Sequence, residues 1–153
     1  MVKEKESKYN VSVSSFENKE LSHKELQEAV AEIGKLQFYY TELEYPIELP
    51  GERKNLDVVW KREISGVPTF AFEIELSGAL EKALERLKFA YKKWNSRPRI
   101  IISKEDNIRA FNIINLSERD FKRAIRVYET EQIVNLLNQK RNLKRMEQML
   151  DLY

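Results

Sequence analysis

Residues 70–78 read FAFEIELSG, and this stretch decides the fold. Alternation along a strand sets Phe70, Phe72, Ile74 and Leu76 on one face and brings Glu73 and Glu75 together on the other. The aromatic and branched residues predict a core-facing strand, which Ser77-Gly78 ends. Two adjacent negative charges in so apolar a strand have two explanations. A sheet face open to water would solvate them; a shared cation would neutralise them.

Working outward, NLDVVWKREI (55–64) and FYYTELEYPIEL (38–49) read as two further strands, parted by Pro50-Gly51. Ser65-Gly66 turns the chain into VPTFAFEIEL (67–76). Connections this short predict an antiparallel meander. Ahead of it, Ser22 is placed to cap a helix carrying Leu26, Ala29, Val30 and Ile33 at helical spacing, with Gly34 near its end. Behind it, Ser77-Gly78 opens a long helix to Trp94 with an apolar stripe of Leu80, Ala83, Leu84, Leu87, Tyr91 and Trp94. The opposite face carries Lys82, Arg86, Lys88, Lys92 and Lys93. RIIIS (99–103) reads as a fourth strand buried on both faces, and EDNIRAFNII (105–114) as a helix. Ser117 with Asp120 forms a capping box for a short helix. AIRVYE (124–129) reads as a fifth strand, and Thr130 caps a last helix. Residues 1–20, polar and Ser-rich, read as a flexible N-terminal arm, and 21–153 as a single α/β domain.

Composition narrows the chemistry. The chain has 153 residues, enough for one domain with a substantial core. Lys and Arg number 27 against 25 Asp and Glu, a net charge of +2, so any basic surface is a local patch. With no Cys, disulfides, thiolate chemistry and Cys-based zinc sites are excluded. A single His, His23, argues against a His-rich metal site or a Ser-His-Asp triad, and its place before the first helix predicts an exposed surface residue. No apolar run approaches the roughly 20 residues of a membrane span. The expectation is a soluble, cytoplasmic protein with no membrane partner.

Asp57 lies within LDVVW, on the strand next to FAFEIEL, so Asp57, Glu73 and Glu75 can converge on one face. Such carboxylates repel one another and resist burial; a hard divalent cation, Mg²⁺ or Mn²⁺, removes that cost and is common where phosphate esters are cut. An acid on one strand, a Glu pair on the next and a following amphipathic helix resemble the PD-(D/E)xK nucleases of restriction-endonuclease-like fold. The αβββαβ element order is similar too, and the resemblance covers roughly residues 22–128. It implies a mixed sheet flanked by helices, Asp57 and Glu73 as metal ligands, and Glu75 as a third acid, ligand or base, where the family usually has Lys. An acid on the first helix often joins such sites, which points to Glu28 or Glu32. Lys82, about one turn into the second helix, is the candidate to replace the missing Lys.

The resemblance implies a Mg²⁺-dependent DNA nuclease, with RNA as the other substrate. The alternative is a degenerate nuclease fold that binds nucleic acid or a partner subunit without cutting. Lys88, Lys92, Lys93, Arg97 and Arg99 form the expected nucleic-acid cluster. Lys140, Arg141, Lys144 and Arg145 make a second basic group on the last helix, which supplies the interface of an expected homodimer.

Overall fold

The computed structural model describes residues 20–152. The expected arm lies outside the described residues except for Glu20, as does Tyr153. Helix α1 (His23–Leu36) leads into β1 (Tyr40–Leu49), β2 (Glu52–Lys61) and β3 (Pro68–Glu75). Then come α2 (Leu80–Trp94), β4 (Arg97–Ile102), a 3₁₀ turn (Lys104–Asp106), α3 (Asn107–Asn115), α4 (Arg119–Ala124), β5 (Arg126–Glu129) and α5 (Thr130–Met149). The strands form one mixed sheet in the order β1-β2-β3-β4-β5. Tight turns make β1, β2 and β3 antiparallel. Crossovers carrying helices make β3, β4 and β5 parallel, as such connections require. The expected mixed α/β sheet flanked by helices is present.

Helices cover both faces of the sheet. On one face, Leu80, Ala83, Leu84 and Leu87 of α2 join Ala110, Ile114 and Phe121 against Val59, Ala71, Ile100 and Ile102. On the other, Leu26, Val30 and Ile33 of α1 and Ile133, Val134 and Leu137 of α5 meet Val58, Trp60, Phe72, Ile74 and Ile101. Ile100, Ile101 and Ile102 are fully buried, as the unbroken run predicted. Burying each of these side chains stabilises by about 1.5–3 kcal/mol. Helix α1 lies so close to the sheet that a Cβ on Gly34 would stand 2.4 Å from Trp60 Nε1. That indole donates to the Val30 carbonyl at 3.1 Å.

Several boundaries differ from the sequence expectations. Ser22 caps α1 as expected, in a reciprocal box with Glu25. Ser117 does not cap α4: its N–H and hydroxyl turn back to the Ile114 and Ile113 carbonyls at the end of α3, and Glu118 takes the N-cap of α4. Thr130 is the first helical residue of α5, and Glu129 precedes it as the cap, its N–H bonded to Gln132 at 2.8 Å. Phe38 adopts φ 66°, so β1 starts at Tyr40. Among the described residues no helix is long and apolar enough to cross a membrane.

Candidate carboxylate site

The ladder between β2 and β3 stops at Val58 opposite Phe72. One step further the strands part, and two side chains take over the ladder's hydrogen bonds. Ile74 N–H donates to Asp57 Oδ2 at 2.7 Å, and Asp57 N–H donates to Glu73 Oε2 at 2.9 Å. Of the three acids expected to converge, Asp57 and Glu73 are thus linked, through main-chain N–H groups. The parting also breaks the alternation of β2, since Leu56 packs with Val59 on the α2 face while Val58 packs on the α1 face. Across the other edge of β2, Glu44 stands between pairs Leu43–Val58 and Tyr45–Leu56 with φ 51°, a left-handed conformation costly for a non-glycine residue. Buried Gln27 holds this point, donating to Glu44 Oε1 at 2.7 Å and to the Asp57 carbonyl at 3.0 Å.

Glu73 is 1% exposed. Burial, then the neighbouring Asp57 charge, pushes its carboxyl up to about 8, although Arg86 and the Asp57 N–H pull the other way. Arg86 reaches across from α2, and its Nε–H donates to Glu73 Oε1. Burial alone would lower the Arg86 value, but the bond to Glu73 and the charges of Glu73, Asp57 and Glu75 raise it. The guanidinium is thus the protein's own cation among the three acids.

The remaining expected residues are placed differently. Glu75 turns to the chain that follows it, accepting from Ser77 N–H at 2.9 Å, from the Ser77 hydroxyl and from Ala79 N–H at 3.3 Å. Burial opposes ionisation there, yet the Ser77 and Ala79 bonds hold its carboxyl below the usual value. The two carboxylates of FAFEIEL share a face but not a task. Lys82 is exposed and makes no ion pair among the described residues; Arg86, one turn further along α2, supplies the cation instead. Glu32 is held by Arg141 of α5, with Nη2–Oε1 at 3.1 Å, about two and a half helical turns beyond His23 along α1. Glu28 is exposed on the same helix. His23 is indeed exposed, yet its Nε2 lies 3.2 Å from Asp57 Oδ2. Sequence reasoning passed over Arg86, His23 and Gln27. For Arg86 one signal was available: it falls between Leu84 and Leu87, at the margin of the buried stripe, where a long side chain reaches the sheet.

The expected basic cluster is divided. Lys88, Lys92 and Lys93 belong to α2, where Lys92 pairs with Glu118 and Lys88 lies over the Phe121 ring. Arg97 and Arg99 point to the other face of the sheet, both over Phe70 at 5.3 Å.

Mg²⁺ or Mn²⁺ is the cofactor the sequence resemblance implies. Asp57 and Glu73 are neighbouring hard oxygen donors, and Glu73 is already bonded by a cationic side chain. Among the described residues no group of three or more His, Asp or Glu is placed to hold a metal ion. Mg²⁺ commonly takes one or two carboxylates from a protein and keeps several waters, so the donor set fits that cation. The sequence matches no protein-family model, no curated protein and no solved structure.

Proposed function

We propose that the chain is a metal-dependent nuclease of restriction-endonuclease-like fold that hydrolyses phosphodiester bonds in DNA. The observation that carries this reading is buried Glu73 beside half-buried Asp57: burial, then the Asp57 charge, leaves Glu73 short of cationic charge even with Arg86 bonded to it. A divalent cation held by Asp57 and Glu73 would supply Lewis acidity and lower the pKa of bound water. The protein groups have separate tasks. His23 and the Ile74 N–H fix one Asp57 oxygen. Arg86 orients Glu73 and keeps further N–H donors for an anionic phosphate, the part the family's Lys would play. Glu75 anchors the turn from which α2 starts. Apolar, exposed Leu143, Met146 and Met149 on α5 support a homodimer, which would present two sites to a duplex.

One observation favours a second reading. Arg86 already occupies the centre of the acids, as a permanent counter-ion would in a nuclease-fold protein that binds nucleic acid or a partner without cutting. Incubation of plasmid and single-stranded DNA, and of RNA, with Mg²⁺ or Mn²⁺ decides between them. Cleavage that chelation stops and Asp57→Asn abolishes supports the nuclease; binding without cleavage under either metal supports the second reading.

A further inference from the structure

The face of the sheet opposite the carboxylates carries a concentration of positive charge. Arg97 and Arg99 lie two residues apart on β4, and Arg126 stands beside Arg99 in the parallel ladder to β5. Two-residue spacing and parallel register put all three on one face. Arg97 and Arg126 are exposed and Arg99 is half-buried. Arg97 and Arg99 both place their guanidinium carbons 5.3 Å from the Phe70 ring centre, and Phe70 is itself braced by Tyr39 and Trp60. The hydrogen bonds of Arg99 and Arg126 run to main-chain carbonyls: Pro98 of β4 and Ala124 at the end of α4 for Arg99, Arg123 and Ile125 for Arg126. Among the described residues, none of the three meets a carboxylate. Burial, with the charges of Arg126 and Arg97, pulls the Arg99 guanidinium below its ordinary value against the opposing effect of Tyr128.

Capping the carbonyls of α4 accounts for one or two N–H groups of each side chain and leaves most of the five donors outward. It explains neither the grouping nor Arg97, which makes no such bond. Three guanidiniums side by side without an acid gain from an external anion. A small free anion needs an enclosing recess, whereas Arg97 and Arg126 lie open on the sheet surface. Guanidiniums gathered over an aromatic ring suit an extended polyanion with stackable bases.

We propose that Arg97, Arg99 and Arg126, on their Phe70 platform, form a phosphate-backbone contact for a nucleic-acid strand on the face of the sheet away from Asp57 and Glu73. It rests on the nucleic-acid part of the reading above, not on its cleavage chemistry. The site is tested with chelator present, so that no divalent cation contributes. Anisotropy of a labelled single-stranded oligonucleotide is read across a salt series for wild type, Arg97→Gln/Arg126→Gln and Arg97→Lys/Arg126→Lys. The Gln pair should weaken binding about tenfold and flatten the salt slope by about one to one and a half units, since each lost phosphate contact removes about 0.7. The Lys pair should restore most of the slope. Melting temperatures report whether the variants fold. An unchanged slope in the folded Gln pair overturns the proposal. So does displacement of the oligonucleotide by millimolar inorganic phosphate as efficiently as by unlabelled strand, which would mark a free-anion site. Loss of metal-dependent cleavage with this binding intact would sink only the nuclease reading.

Discussion

Two regions of this molecule gather like charges, on opposite faces of one sheet, and solve the problem differently. At the parting of β2 and β3, Asp57 is half-buried and Glu73 is drawn fully inward, 1% exposed, where water cannot screen it. The cost of Glu73 is met inside the protein by Arg86 and the Asp57 N–H, and Asp57 in turn accepts from the Ile74 N–H. On the other face, Arg97, Arg99 and Arg126 stay near the surface and share no acid among the described residues. Burial makes the first group expensive and sensitive to proton and cation; exposure makes the second cheap to hold and sensitive to salt. Charge sign matters less here than depth.

The largest expected effect separates the two depths directly. Arg86→Ala should destabilise by about 3 kcal/mol at pH 9, above the raised Glu73 value, because there it strands a buried carboxylate, while Arg97→Ala should cost no more than about 0.5 kcal/mol. Urea unfolding measures both. Adding Glu73→Gln to Arg86→Ala should recover most of the loss. Equal costs on the two faces would break the comparison.

Titration sharpens it next. Glu73 is raised in the fold from 4.5 to about 8, so between those values the folded chain keeps a proton that the unfolded chain has released. Stability therefore falls as pH rises through this window, by on the order of a few kcal/mol, and levels off above it. Thermal melting from pH 5 to pH 9 should show that decline in wild type and largely lose it in Glu73→Gln, which should melt above wild type at pH 8.5. A Gln variant that melts lower at every pH would make the ionised Glu73 a stabilising partner of Arg86, contrary to this account.

Metal gives a comparable but smaller shift. At a hundredfold excess over Kd, a cation that binds only the folded state stabilises by about 2.7 kcal/mol, or about 5–10 °C for a chain of this size. Wild type should gain that with Mn²⁺, and Asp57→Asn and Glu73→Gln almost nothing. No shift in wild type would leave Arg86 as the only cation of the site.

The smallest effect concerns Glu75. With its carboxylate spent on Ser77 and Ala79, Glu75→Gln should cost about 1 kcal/mol, the scale of one lost cap. It should leave the Mn²⁺ shift of wild type largely intact. Loss of that shift would restore Glu75 to the place of a ligand.

Legible in the sequence were the order and type of the elements, the sheet's antiparallel first half, the buried isoleucines of β4 and, of three acids expected to converge, the nearness of Asp57 to Glu73. These follow from periodicity and from short turns, which act between residues close in the chain. Tertiary structure alone decided what each acid meets. Glu73 and Glu75 have the same type, strand and face, yet one meets Arg86 across the α2 crossover while the other meets the turn that follows it. Glu32 and Lys82, plausible by helical position, are carried to Arg141 and to solvent by the rotation of their helices against the sheet. The division of Arg97 and Arg99 from the lysines of α2 has the same cause. A helix packed on one face cannot share a surface with strand residues that point through the other, and no local pattern records which face that will be.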